Sequence, residues 1–313
     1  MEYRNLGNSG LKVSVVGLGC NNFGMRIDTE QTRVVVNKAL DEGINFFDTA
    51  DIYGNRGGSE TMLGKALGPR RHEVIVASKF GMAMGDGPFM KGASRRYIMA
   101  AAEASLKRLN TDYMDLYQIH FPDPETPQEE TLDALHDLVR AGKVRYIGSS
   151  NFAGYQVADT AWISKTNGLA PYISAQNQYN LLDRRIEKDL TPACKQFGVG
   201  ILPYFPLASG FLTGKYKRGE EPSKDTRLGA MGSMAKSALT DSNFAVLEKL
   251  QEFARSHGHS VLELAIGWLA SMPQVSSVIA GATKPEQVSA NVKGGDWKLS
   301  AEELAEVDKI SKR

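Results

Sequence analysis

The segment that decides the fold is residues 28–54, which read DTEQTRVVVNKALDEGINFFDTADIYG. Asp28 and Gln31 have the spacing of an N-terminal capping pair, so we predict a helix over residues 29–42 that Gly43 ends. The apolar residues that follow form a short strand over 45–48, which closes on a carboxylate. A helix that leads directly into such a strand is one unit of an α/β fold.

This alternation recurs along the whole chain. A hairpin of residues 3–6 and 11–13, joined by the turn 7–10, comes first. Alternating strands and helices imply a parallel sheet, and eight units in about 300 residues fit a closed (β/α)8 TIM barrel. No break in composition divides the chain, so we expect one barrel domain over residues 1–313. The predicted barrel strands are residues 15–19, 45–48, 74–78, 114–120, 144–149, 174–179, 200–203 and 275–279.

Composition excludes several classes of function. The 313 residues carry a formal net charge of +1, which argues against nucleic acid or an anionic membrane as a partner. No apolar run approaches the roughly 20 residues of a membrane span, and no signal core follows the N-terminus. Cys20 and Cys194 form no disulfide framework, so we predict a cytoplasmic protein. His257 and His259 lack a third ligand at metal-site spacing, and we predict no metal.

Polar residues close several of the predicted strands. Asp48, Lys79 and His120 each follow an apolar run. Active sites of (β/α)8 barrels lie at the C-terminal ends of the strands, so we expect these side chains to meet at one mouth. Five more polar residues belong to the same set: Ser149, Ser150, Asn151, Gln176 and Asn177.

Asp48, Tyr53, Lys79 and His120 have a coherent chemical role together. A buried ammonium needs a carboxylate partner, which Asp48 supplies to Lys79. A cation beside a phenol lowers the tyrosine pKa from about 10, which suits Tyr53 as a general acid. His120 can donate a hydrogen bond to a carbonyl oxygen. Taken singly, each residue has a structural explanation as a helix cap, a packed ring or a solvated cation, but four at successive strand ends favour chemistry.

Residues 43–54 (GINFFDTADIYG) and 147–152 (IGSSNF) make the chain similar to the aldo-keto reductases. The details favour the branch that contains potassium-channel β subunits and many bacterial reductases. The resemblance implies an NADP-dependent oxidoreductase that reduces aldehydes or ketones to alcohols with NADPH. It assigns the catalytic tetrad to Asp48, Tyr53, Lys79 and His120. Further matches, in the family's order, are residues 59–60, 63–64, 78–79, 118–120 and 176–180.

The resemblance also implies the cofactor contacts. Ser150, Asn151 and Gln176 would bind the nicotinamide carboxamide, and Tyr204 would stack on the ring. Phe205 stands where the family usually has Ser or another small residue, and Ala290 stands where Glu is common. The other implied cofactor contacts are Gly19, Cys20, Asn21, Asp48, Pro206, Leu207, Lys215, Arg227, Gly281, Thr283, Lys284, Gln287 and Asn291.

A Rossmann phosphate loop is missing, because Gly17-Leu18-Gly19 is followed by Cys20 and no third glycine completes the motif. The resemblance implies that NADP is held by the loop after strand seven and by residues 281–287. A helix N-terminus there can bind phosphate. The resemblance implies that Lys215, Arg227 and Lys284 lie at the adenosine end of the cofactor. The 2′-phosphate of NADPH at that end needs cations, so we expect NADPH rather than NADH.

Two other classes of function stay open at this point. A regulatory binding module could use NADP occupancy as a signal, although a complete tetrad favours catalysis. A sugar-phosphate isomerase or aldolase is an analogy at the level of the fold alone. For an enzyme, the substrate walls would come from loops 80–92, 121–126 and 211–240. The apolar residues 80–84 and Met25 predict an adaptable apolar rim.

Overall fold

The N-terminal hairpin pairs β1 (Tyr3–Asn5) with β2 (Lys12–Ser14) in antiparallel register. This computed structural model describes residues 1–230, 232, 235 and 238–312. Gly7 turns the chain at φ +55°, where a Cβ would lie 2.5 Å from the Gly198 carbonyl oxygen, so only glycine fits. Leu6 and Val13 are fully buried against residues inside the barrel, and the hairpin therefore closes the N-terminal end.

Eight parallel strands form the barrel: β3 (Val16–Gly19), β4 (Phe46–Asp48), β5 (Ile75–Phe80), β6 (Met114–Ile119), β7 (Val144–Ser150), β8 (Tyr172–Gln178), β9 (Gly200–Tyr204) and β10 (Val278–Gly281). β10 pairs with β3, and each later strand pairs with the next along the chain. The Ile201 N–H donates to the Gln274 carbonyl oxygen (2.7 Å), and Ser276 N–H donates to Ile201 O (3.0 Å). These two bonds bring the sheet round to a nearly closed barrel. The predicted (β/α)8 TIM barrel with an N-terminal β-hairpin is confirmed.

The boundaries of the last strand were predicted least accurately. We expected residues 275–279, whereas the ladder to β3 begins only at Val278. Val275 makes an isolated bridge to Ile201, and the Ser276 hydroxyl donates to the Asn5 carbonyl oxygen (3.1 Å). Val275 and Ser276 therefore help to close the barrel and to anchor the N-terminal hairpin, and the chain enters the sheet only after them. The other strand boundaries shift by one or two residues.

The helices lie between and after the strands: α1 (Thr29–Asp41), α2 (Tyr53–Leu67), α3 (Arg95–Leu109), α4 (Gln128–Arg140), α5 (Gly154–Asn167), α6 (Leu190–Phe197), α7 (Arg227–Ala230), α8 (Asp241–Ser256), α9 (Val261–Ala270), α10 (Pro285–Asp296) and α11 (Ala301–Ser311). The capping pair of Asp28 and Gln31 is confirmed, because each side chain accepts from the other residue's backbone N–H. None of the described helices combines the length and apolar character of a membrane span.

The long irregular stretch that we expected over 208–240 contains a short 3-10 turn over Ala208–Thr213 and the four-residue helix α7. Five of its residues lie outside the described part of the chain: Met231, Ser233, Met234, Lys236 and Ser237. Arg313, the last residue of the predicted single domain, lies outside it as well. The extent of that domain stays a prediction.

Candidate active site

A buried ion pair lies beneath the mouth of the barrel. Lys79 Nζ is 2.8 Å from Asp48 Oδ1 and 2.7 Å from Oδ2, and it also donates to the Thr49 carbonyl oxygen at 2.9 Å. These contacts match the three protons of an ammonium. Burial lowers the pKa of Lys79, but Asp48 and then Tyr53 outweigh that effect and raise it above its ordinary value. The ammonium is therefore charged at neutral pH.

Strand register brings this pair together. Asp48 is the last residue of β4 and lies opposite Ala77 of β5. Side chains alternate along a strand, so Lys79, two residues after Ala77, points to the same face. We expected Lys79 to follow its strand, but β5 continues to Phe80 because Lys79 still pairs with Gln118 of β6. The ammonium is consequently held by the sheet itself.

A residue of β8 also holds the Asp48 carboxylate in place. Gln176 Nε2 donates to Asp48 Oδ1 at 2.8 Å, and the Ser150 hydroxyl donates to the Gln176 carbonyl oxygen at 2.8 Å. Gln176 and Ser150 face each other in the register of β8 and β7. Side chains from opposite sides of the barrel thus converge on one carboxylate.

Tyr53 opens α2 directly after the β4 loop, and its N–H donates to the Ala50 carbonyl oxygen (3.2 Å). Its ring centroid lies 5.1 Å from Lys79 Nζ. We expected the cation to bring the tyrosine pKa below its ordinary value. The charge of Lys79 acts in that direction, but it does not prevail. Burial raises the pKa of Tyr53 above its ordinary value by more than Lys79 lowers it. The phenol is therefore protonated at neutral pH.

His120 follows β6 and approaches Tyr53 edge-on, with the two ring centroids 5.7 Å apart. Burial, followed by the Lys79 charge, lowers the pKa of His120 to about 3. The imidazole is thus neutral and carries one N–H. Within the described part of the chain, its buried Nδ1 has no hydrogen-bond partner. Two neutral donors, a phenol and an imidazole, consequently sit side by side.

Tyr204 ends β9, and its hydroxyl donates to Asn151 Oδ1 at 2.8 Å. Asn151 has a left-handed backbone (φ +60°), and its amide nitrogen donates to the His120 carbonyl oxygen at 3.0 Å. This network fixes the orientation of the Tyr204 ring relative to His120. It is the arrangement that a stacked planar ligand requires.

One cavity of about 660 Å³ connects these groups. Asp48, Tyr53 and His120 line it, while Lys79 lies behind them. Every cofactor contact that the family resemblance implied also lines this cavity: Gly19, Cys20, Asn21, Asp48, Ser150, Asn151, Gln176, Tyr204, Pro206, Leu207, Lys215, Arg227, Gly281, Thr283, Lys284, Gln287 and Asn291. The predicted residues are therefore neighbours in space, from all sides of the barrel mouth.

Cations gather at one part of this cavity. Arg227 is half-buried, and its guanidinium lies 4.8 Å from the centre of the Phe205 ring. Among the described residues, no carboxylate forms an ion pair with Arg227. Burial, and then the charge of Arg26, lower the pKa of Arg227. Lys215 and Lys284 line the same cavity. Cations that are not neutralised by an ion pair are complementary to a phosphate.

At the start of α10, Lys284 occupies the position before the first helical residue, Pro285. Gln287, one of the cofactor contacts that the resemblance implied, accepts from the Thr283 N–H at 2.7 Å. A side chain one turn into a helix readily satisfies a free N–H before it, which explains this geometry. Asn291 and Ala290 line the cavity beyond it.

Sequence reasoning missed Arg26. It lies in the loop between β3 and α1, and its Nη2 donates to the Asp225 carbonyl oxygen at 3.2 Å. Both residues line the cavity, so this contact joins its two walls. No spacing rule could have found it, because the partners are 199 residues apart.

The apolar rim is only partly as expected. Met25 and Phe121 are 71% and 48% exposed, and Phe121 lines the cavity. Phe80, which we also expected at the rim, is fully buried. It is the last residue of β5, and its ring packs 4.9 Å from that of Tyr117. Because β5 continues to Phe80, this residue lies in the core and not at the rim.

Comparison with known proteins identifies the family. The model of the Aldo/keto reductase family matches residues 15–312. A probable voltage-gated potassium channel subunit beta from Oryza sativa subsp. japonica is 38% identical, over 95% of this chain and 92% of the relative. The L-glyceraldehyde 3-phosphate reductase of Escherichia coli (strain K12) is 36% identical, over 98% and 92%. The versiconal hemiacetal acetate reductase of Aspergillus parasiticus is 34% identical, over 97% and 95%. The chain therefore belongs to the aldo/keto reductase family and is an oxidoreductase of carbonyl compounds.

Proposed function

We propose that this protein reduces aldehydes or ketones to alcohols with NADPH, and that Tyr53 is the general acid. One observation carries the proposal. A protonated phenol and a neutral imidazole lie side by side at the wall of one cavity, above a buried Lys79–Asp48 ion pair. This arrangement can deliver one proton to an oxygen atom and stabilise the charge left behind.

The role of each residue follows from its surroundings. His120 donates a hydrogen bond that orients the carbonyl oxygen near Tyr53. The Tyr53 hydroxyl gives its proton to that oxygen as negative charge develops there. Lys79 stabilises the resulting phenolate, since a nearby cation favours the charged form of a phenol. Asp48 keeps Lys79 charged and in place. NADPH, when bound, supplies the hydride.

The cavity residues fit such a cofactor. Ser150, Asn151 and Gln176 offer amide and hydroxyl groups beside Tyr53, and Tyr204 offers a ring face. The unpaired cations suit the phosphates of a dinucleotide, the 2′-phosphate included. A cytoplasmic location remains our expectation from the sequence.

A panel of aldehydes, ketones and sugars, assayed by the loss of NADPH absorbance, tests the proposal. We expect turnover of at least one carbonyl class, with little activity when NADH replaces NADPH. A relative bears the name of a potassium channel subunit beta, which favours a regulatory role as the second candidate. Tight NADPH binding with no turnover of any carbonyl would support that role and contradict ours.

We expect Arg227→Ala to weaken NADPH binding by roughly 1.5–3 kcal/mol, the range for a hydrogen bond to a charged group. This corresponds to a rise in Kd of about 10- to 150-fold. NADH binding should barely change, because NADH presents a hydroxyl where NADPH presents a phosphate. Fluorescence titration of both cofactors measures the effect. Lys217→Ala removes an exposed cation of the same loop and serves as the control. Equal losses for both cofactors would refute the assignment.

A further inference from the structure

A second buried acid belongs to the loop that joins the catalytic candidates Asp48 and Tyr53 along the chain. Asp51 is fully buried, and its N–H donates to the Lys79 carbonyl oxygen at 3.0 Å. Within the described residues, neither oxygen of its carboxyl group takes part in a hydrogen bond of good geometry, although the Ile52 N–H and the Tyr97 hydroxyl lie close enough to interact with it. The buried hydroxyl of Tyr117 also lacks a hydrogen-bond partner among the described residues. An ionised carboxylate left this way would be costly, since burial without hydrogen bonds penalises charge.

The groups around Asp51 come from four elements. α2 contributes Glu60, which accepts from the Ser78 hydroxyl and from Arg108 Nε, the latter at 2.6 Å. α3 contributes Arg108 and Tyr97, while β5 contributes Lys79 and β6 contributes Tyr117. Each cation in this set already has its own carboxylate, Asp48 for Lys79 and Glu60 for Arg108. Asp51 is the acid left over.

The net charge of this cluster depends on whether Asp51 is protonated. With Asp51 ionised, three carboxylates face two cations, and with Asp51 protonated the cluster is neutral. Burial and then the charge of Glu60 raise the pKa of Asp51 to about 7, against the opposing effects of Arg108 and Lys79. Asp51 therefore changes its charge near neutral pH, whereas Tyr53 and His120 do not. The pKa of Tyr53 lies above its ordinary value and that of His120 near 3.

We propose that Asp51 is a positioning residue that acts as a neutral acid in the loop between Asp48 and Tyr53, and that loss of its proton lowers the activity of the reductase. This inference rests on the proposed function of the site. The loop that carries Asp51 also holds the reacting groups, because Thr49 O accepts from Lys79 Nζ and Ala50 O accepts from the Tyr53 N–H. A carboxylate that draws water or a cation toward itself would displace that loop.

The isosteric variant Asp51→Asn tests the proposal, because it keeps the shape of a neutral acid at every pH. For the wild type, we expect kcat to fall roughly tenfold between pH 6 and pH 8, as expected for a group that titrates midway. For the variant, the fall should be less than twofold, with the KM of the carbonyl unchanged. Asp112→Asn alters an exposed acid directly before β6, at the end of the barrel away from the mouth, and should keep the wild-type profile. A wild-type profile in Asp51→Asn would overturn the proposal.

Glu60→Gln provides a second variant. It removes the like charge beside Asp51 and frees Arg108 to pair with it, and both changes favour the carboxylate. The midpoint of the pH profile should therefore move to lower pH. An unmoved midpoint would show that Asp51 does not titrate in this profile.

Thermal melts of the cofactor-free protein give a readout that does not depend on activity. The pKa of Asp51 is higher in the folded chain than in the unfolded one, near 3.9. Its destabilising effect is thus absent in acid, grows as the pH rises to about 7 and then levels off. The Tm advantage of Asp51→Asn should widen over the same range. A constant Tm difference would refute the neutral acid, even if the reductase activity itself is confirmed.

Discussion

Replacing Tyr53 by phenylalanine is expected to lower kcat by roughly 10²–10⁴-fold, the contribution typical of general acid catalysis. The variant loses the proton donor but keeps the ring, which lies edge-on to His120 and close to Lys79. The buried Lys79–Asp48 pair should survive the loss of the phenol, because the ammonium keeps its hydrogen bonds to Asp48 and to the Thr49 carbonyl oxygen. NADPH binding and folding should therefore be nearly unchanged.

Single-turnover kinetics with saturating NADPH separate this loss from slow product release. Tyr155→Phe removes an exposed hydroxyl on α5 and serves as the matched control. Turnover of Tyr53→Phe within a factor of a few of wild type would reject Tyr53 as the acid. It would leave His120 as the only other donor of the tetrad that lines the cavity.

Lys79→Met is expected to have the largest effect on stability. It leaves the Asp48 carboxylate buried without its cation, which costs about 3–5 kcal/mol for a buried pair. Only Gln176 would still donate to that carboxylate among its described side-chain partners. Activity should be lost as well, because nothing would stabilise the Tyr53 phenolate.

The double variant Asp48→Asn with Lys79→Met separates these two effects. Removing both charges should restore part of the free energy of unfolding and none of the activity. Urea unfolding of the wild type, both single variants and the double variant measures the coupling. Strictly additive losses would show that the two side chains do not stabilise each other.

The barrel and the identities of the candidate tetrad residues were readable from local patterns. Buried strands and capped helices have short periodicities, so the chain displays them without any knowledge of distant contacts. The strand-end rule then placed Asp48 and His120 at one mouth, since parallel strands of a barrel share one C-terminal face. The position of Lys79 inside β5 was missed because strand length depends on pairing with β6.

Local sequence patterns are sufficient to predict the order of the elements, the barrel that follows from it and the candidate residues at its mouth. The tertiary structure alone decided the state of those residues. Tyr53 keeps its proton and Asp51 shifts toward neutrality because of burial and neighbouring charges. Arg26 meets the Asp225 carbonyl oxygen because the fold brings together two residues that are 199 positions apart. Desolvation and the Coulomb interaction depend on distances through space, and neither has a period along the chain.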